Sequence, residues 1–383
     1  MKRQYIILIS VATAFLLMIL TSAGVAMNIF KNDFEKRWET LSSDVEKLNG
    51  YTKLHPVELR NVKVEGKKLD GVVFNAAIFD GVEWINTSLE EGIFTKVIFK
   101  NCKFINTQNW NSTFTDVLFE NCTFHSAEFS GSTMVDVSFK GCKITDSRLK
   151  ELVGNELLVE DSTLEERTSL SWSSIPMTFR KCTLDGVGLS GMKLPNAMTV
   201  EDSLLDEVDF GRGHFSTVTL RRVRQGEGGV KFNSVTAESI TFEDVEMMRG
   251  TGIGYSTVGI VRIIGGKMYG PSFLDANIAK TYVRNAYVTR FAIGNKMGQA
   301  HVDNSTMHRV GLFDGFIDEF SVTNSTIDEI VGENFKADIV LWDNVTLDGK
   351  IDLTNAQVKD FRPTRLKRGP RLNLITTGSN MKF

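Results

Sequence analysis

From Leu59 onward, the chain places an apolar residue at every fifth position. The series runs Val64, Leu69, Phe74, Phe79, Trp84, Leu89, Phe94, Phe99 and Phe104, then resumes after Asn109 with Phe114, Phe119, Phe124, Phe129, Met134, Phe139, Ile144 and Leu149. Two residues ahead of many of these stands a smaller one, such as Val72, Ala77, Val97, Cys102, Val117, Cys122 or Cys142. Helices repeat at 3.6 residues and strands at 2, so neither element writes this pattern. It fits a chain that turns a corner every five residues. The large and the small apolar side chains then point inward, and Asn, Asp and Gly serve the corners.

A longer period overlies the short one. FKNCKF (99–104), FENCTF (119–124), FKGCKI (139–144), VEDSTL (159–164) and FRKCTL (179–184) recur every 20 residues, or four corners per coil. The motif continues at VEDSLL (200–205) and FEDVEM (242–247), and on to WDNVTL (342–347). The pattern predicts an all-β solenoid, a right-handed quadrilateral β-helix of about fifteen coils, roughly 70 Å long at the spacing of paired strands. Each coil buries its apolar residues only against its neighbours, so the ends need caps. The stretch RRVRQGEGG (221–229), where the step lengthens, reads as a protruding loop.

These strings resemble the pentapeptide-repeat family, whose fold is a right-handed quadrilateral β-helix. VIFKNCKF and VLFENCTF match its small–x–Leu/Phe–polar–polar unit. The resemblance is tight over 57–149, moderate to 205 and loose beyond, where only the longer period persists.

The N-terminus is of another kind. Gln4 to Phe30 carries no charge, which fits a signal anchor with a transmembrane helix over 5–27, or a signal peptide cleaved near Gly24-Val25-Ala26. The length favours the anchor, and Lys2 and Arg3 place the N-terminus in the cytoplasm. Residues 31–56 follow as an amphipathic stalk. Phe34, Trp38, Leu41, Val45 and Leu48 form a heptad seam on one short helix, either covering the first coil or pairing copies of the chain. The expected organisation is thus 1–30, 31–56, the β-helix over 57–360, and a tail over 361–383.

The formal charge of −3 hides a segregation. The tail holds Arg362, Arg365, Lys367, Arg368, Arg371 and Lys382 and no acid, so the body is acidic. That balance does not suit a nucleic-acid binder. The four cysteines show no CxxC spacing, and no cofactor or metal is expected. Cys102, Cys122, Cys142 and Cys182 read as small core residues beside Phe99, Phe104, Phe119, Phe124, Phe139 and Phe179. The column Asn101, Asn121, Asp161, Asp202, Asp244, Asn285, Asn304, Asn324 and Asn344 reads as a corner. His301 and His308, with Asp303, Asp314 and Asp318 nearby in sequence, are the residues on which a sugar-cleaving site would draw. GTGIGYSTVG (250–259) has the look of a phosphate loop but lacks the helix that such a loop precedes. The resulting expectation is a non-enzymatic scaffold or protein-binding rod, tethered to a bacterial inner membrane with its body in the periplasm, with an unnamed protein partner and a second copy of itself as candidate associates. A secreted rod, a DNA mimic as in the gyrase-protecting members of the resembled family, and a polysaccharide-acting enzyme are the alternatives.

Overall fold

The computed structural model describes residues 34–193, 197–248, 250–273 and 275–383. The uncharged run and its expected membrane helix lie outside them. Among the described residues no helix is long and apolar enough to cross a membrane.

The chain enters through two short helices rather than one, α1 over 34–41 and α2 over Val45–Thr52. Ser42, Ser43 and Asp44 break the run. Asp44 leaves helical geometry, and its carboxylate accepts the amides of Glu46 and Lys47 at 3.1 and 3.3 Å, starting a new helix. The seam is turned onto the rod: Phe34, Trp38 and Leu48 are buried, and Leu41 and Val45 pack partly buried against the core. The Trp38 indole meets Trp84 edge-on at 6.2 Å.

The rest is a right-handed all-β solenoid of about 16 turns. Every strand pair is parallel and joins a coil to the next, as in Phe99↔Phe119↔Phe139. One coil shows the logic. The first face runs Ile98–Lys100 and the second Lys103–Ile105; the third is a single bridge at Gln108, and the fourth lies in Thr113–Glu120. Asn101, Asn106, Asn111 and Asp116 sit at the corners with φ between 51 and 56°. That left-handed conformation is disfavoured for most side chains and least so for Asn, Asp and Gly. The column from Asn101 to Asn344 takes this conformation at every member.

Inside, the rings stack along the axis. Phe79–Phe99, Phe99–Phe119 and Phe119–Phe139 lie 5.0, 4.9 and 4.6 Å apart, nearly parallel. Rings on adjacent faces meet edge-on, as Phe119 and Phe124 do at 5.4 Å and 74°. Both are favoured geometries for aromatic pairs. Asn109, the exception to the apolar series, also points inward, where its amide donates to Thr107 Oγ1 at 3.2 Å. In the C-terminal half some corners open. Thr236–Glu243 runs through with no positive φ, and Tyr287–Asp303 and Thr306–Thr323 wrap several faces as continuous strands. This is why the five-residue period blurs there while the longer one survives.

Two expectations change. Residues 361–383 are not a tail beyond the rod. Gln357–Thr364, Lys367–Arg368 and Asn373–Ile375 pair with the coil before them and complete a sixteenth turn. A last coil has a neighbour on one side only, so it needs few large apolar residues, and its arginines pair with acids of earlier coils. Arg365 bonds Asp343, and Arg371 reaches Asp348 at 2.7 Å and Asp328 at 2.9 Å. The inserted residues of 221–229 fold back rather than protrude. The Gly228 amide binds the Asp206 carboxylate, and Gln225 donates to Gly228 O at 2.9 Å.

Both ends are closed by an asparagine that imitates a missing strand. Asn49 accepts from Val73 N at 2.7 Å and donates to Gly71 O at 2.9 Å. Asn380 accepts from Val358 N at 2.9 Å and donates back to its carbonyl at 2.8 Å. Phe383 packs on Phe361 and Trp342, at 5.0 and 5.9 Å.

Phe119→Ala removes a fully buried ring from two stacks and is expected to cost about 3–5 kcal/mol, whereas Thr123→Ala, on an exposed position, stays within about ±0.5 kcal/mol; chemical denaturation measures both. The last coil is expected to respond to acid. Arg371 holds the Asp348 carboxyl below its ordinary value, and Arg365 does the same for Asp343. A depressed carboxylate contributes stability that is complete above the unfolded value, about 3.9, and is lost as pH falls through the folded one. Amide-exchange protection of residues 361–375 should therefore hold at neutral pH and fall below about pH 4, and Arg371→Gln should weaken protection most at neutral pH.

Candidate functional site

The solenoid turns sequence steps of about 20 into columns on its surface, and one column of the first face carries charge in strict alternation. Arg60, Asp80, Lys100, Glu120, Lys140, Glu160, Arg180, Glu201, Arg221 and Glu243 stand in register on successive coils. Neighbours pair along it: Lys100–Glu120 at 3.2 Å, Arg180 between Glu160 and Glu201 at 3.5 Å each, and Arg221 between Glu201 and Glu243 at 2.8 Å each. The bond to Glu243 and the charges around it push the Arg221 guanidinium further up. The face is neutral along its length. The signal lay in the sequence but shows only once residues are read down a column.

The alternation ends at Ile264, and there the face opens into a groove of about 610 Å³. Arg262, Tyr282 and His301 form one row of it. The Tyr282 and His301 rings stack at 5.3 Å and 19°. In the next row Arg284 pairs with Asp303 at 3.5 Å. The Asp303 carboxyl is held low, first by the Thr323 hydroxyl at 2.8 Å and then by Asn324 and Arg284. Arg262 has no ion-pair partner among the described residues.

The histidines read together from sequence are not brought together. His301 lies on the first face, with Nδ1 3.9 Å from Glu319. His308 lies on the second, its Nδ1 2.6 Å from Asp328. Asp303 is committed to Arg284 and Thr323, and the side chain of Asp314 is outside the described residues. Among the described residues no three His, Cys, Asp or Glu side chains converge as a metal site. In the phosphate-loop lookalike, residues 250–256 lead into the strand Thr257–Ile264 rather than a helix.

The cysteine column is interior. Cys102, Cys122 and Cys142 are buried free thiols, and each donates 3.3 Å to the carbonyl of Phe79, Phe99 and Phe119 in turn. Cys182 does the same to Val159 O, and burial pushes its thiol up to about 11. Thiol neighbours and burial raise Cys122 as well. Ser162 and Ser203 fill the same place in other coils and accept the amides of Cys142 and Cys182 at 2.9 Å. Phe99, Phe104, Phe119, Phe124, Phe139 and Phe179 are all buried. These residues build the rod and leave ligand contact to the outward columns.

Reversing one member of the charge column tests its electrostatic role. Arg221→Glu places three carboxylates on consecutive coils, so the melting temperature should fall at low ionic strength and recover in part at molar salt, where the screening length shrinks to about 3 Å. A shift of equal size at both ionic strengths would mean that packing, not charge, was lost.

Comparison with known proteins follows this geometry. The model of the pentapeptide repeat region matches residues 74–149 and, in a second overlapping placement, 92–168. Two trypsin-treated variants of QnrB1, a plasmid-mediated fluoroquinolone resistance protein, align at 13% and 15% identity. They cover 38% and 45% of this chain and 73% and 83% of theirs, with TM-scores of 0.28 and 0.30. HetL, a pentapeptide repeat protein involved in heterocyst differentiation regulation in the cyanobacterium Nostoc sp. strain PCC 7120, aligns at 10% identity over 63% of this chain and 94% of its own, with a TM-score of 0.20. No curated protein sequence matches the chain. The family match falls where the five-residue period and the left-handed corners are most regular, and the likeness to a pentapeptide repeat region is that of residues 74–168.

Proposed function

We propose that the protein is a non-enzymatic, protein-binding rod or scaffold, tethered through its N-terminus to a bacterial inner membrane with the solenoid on the periplasmic side. The observation that carries the binding reading is the alternating charge column. Its ten members pair largely with one another, so the first face is neutral from Arg60 to Glu243, and with both ends capped by Asn49 and Asn380 the sides of the rod are the surfaces left for contact. A face of this kind suits a protein partner that brings its own side chains into the spaces of the column. It does not suit a DNA mimic, which needs sustained negative charge along one side. A polysaccharide-cleaving role would need an uncommitted acid pair, whereas Asp303 and His308 are already engaged with Arg284 and Asp328.

The tether rests on the uncharged run from Gln4 to Phe30 behind Lys2 and Arg3. The buried positions of Phe34, Trp38 and Leu48 favour α1 and α2 as a cap on the first coil over a seam between copies. Periplasmic and cytoplasmic reporters fused after Phe383, together with mass spectrometry of the native N-terminus, test the placement. Activity of the periplasmic reporter in the membrane fraction and an N-terminus at residue 1 or 2 are expected. A start near residue 27 in a soluble fraction would turn the tether into a cleaved signal, and activity of the cytoplasmic reporter would overturn the placement.

A further inference from the structure

The corner between the third and fourth faces is the one that carries aromatic residues in the left-handed region among the described residues. Trp172 and Tyr255 occupy it with φ of 64° and 55°, leaving 46% and 72% of their surfaces exposed. A bulky side chain in the left-handed region is strained, and an aromatic left in water forgoes its burial energy. Neither residue contributes to the core, and other coils place Gly131 or Asn111 at this corner. The indole is also held in place. A Cβ on Gly191, one coil further on, would lie 2.7 Å from its ring, so Trp172 rests against bare backbone.

Four coil steps separate Trp172 from Tyr255, about 19 Å at the spacing of paired strands. Between them the third face sinks into a trough of about 360 Å³ that begins at Trp172. Asp209, Arg212, Lys231 and Asn233 rise from it. Asp209 accepts from the Gly211 amide at 2.8 Å, while the side chains of Arg212, Lys231 and Asn233 make no hydrogen bond or ion pair with the protein among the described residues. The trough therefore offers donors and acceptors of both signs, with Trp172 lining one end and the exposed Tyr255 one coil beyond Ser234 at the other.

We infer that this trough binds an extended, neutral glycan. The apolar face of a pyranose ring stacks on an indole or phenol. Its hydroxyls pair with planar amide, carboxylate and guanidinium groups such as Asn233, Asp209 and Arg212 provide. The mixed charge disfavours a polyanion, and the length suits several sugar rings end to end. The inference stands on the opposite side of the rod from the charge column and does not depend on the protein-binding reading.

The test is titration of the full chain with cellohexaose, with the hexamer of N-acetylglucosamine and with maltohexaose, by calorimetry and tryptophan fluorescence. Saturable binding of at least one is expected. Trp172→Ala should weaken it about tenfold or more and Tyr255→Ala should weaken it too. Trp110→Ala, at an exposed indole elsewhere on the third face, should leave it unchanged. Both aromatic positions are exposed, so the variants should melt as the parent does. Failure of all three hexasaccharides to bind, or equal affinity in the parent and the Trp172→Ala and Tyr255→Ala variants, would overturn the inference.

Discussion

The structure depends on a backbone constraint that recurs along the repeat: a residue that enters the left-handed region so that the next short strand can turn through a right angle. With φ near 50° at Asn101, Asn106 and Asn111, the strand segments between corners shrink to three residues, of which one points in. A single inward residue per segment must fill its share of the section, and the share is the size of a phenylalanine. The stacked rings, the small residue after each corner and the Asn/Asp/Gly-rich corners all follow from that turn.

A solenoid with so local a plan has a problem only where it stops. Each coil satisfies the backbone of the next, so the first and last carry groups with nothing to bond. The solutions at the two ends are chemically the same and structurally different. A carboxamide from α2 and another from the C-terminal segment each offer one donor and one acceptor, the complement a peptide unit would offer, to Val73 with Gly71 and to Val358. The last edge also carries Pro363 and several basic residues, which discourage further strand addition.

How much of this could be read from the sequence depended on period. Inward positions such as Phe99 and Phe119, the thiol column and the corner asparagines were legible because each repeats at a fixed short interval. The single stalk helix was misread because the seam Phe34, Trp38, Leu41, Val45, Leu48 ignores the polar residues between, and it is Asp44 that breaks the helix. The last coil was missed because a terminal coil needs little apolar content and so loses the signature. The groove at Arg262 and the trough beside Trp172 were invisible for a different reason. Their members lie about 20 residues apart and become neighbours only when the register of every intervening coil is known.

The alternating column has a bearing on how such a chain finds its own fold. Near-identical coils invite a slip: a strand can pair one coil too early or too late and still stack Phe on Phe. A slip of a single coil between Arg60 and Glu243 leaves the aromatic ladder almost unchanged but sets two like charges side by side where the wrong coils meet. The sign pattern doubles the true repeat from one coil to two, and it gives an otherwise self-similar rod a means of counting its own turns.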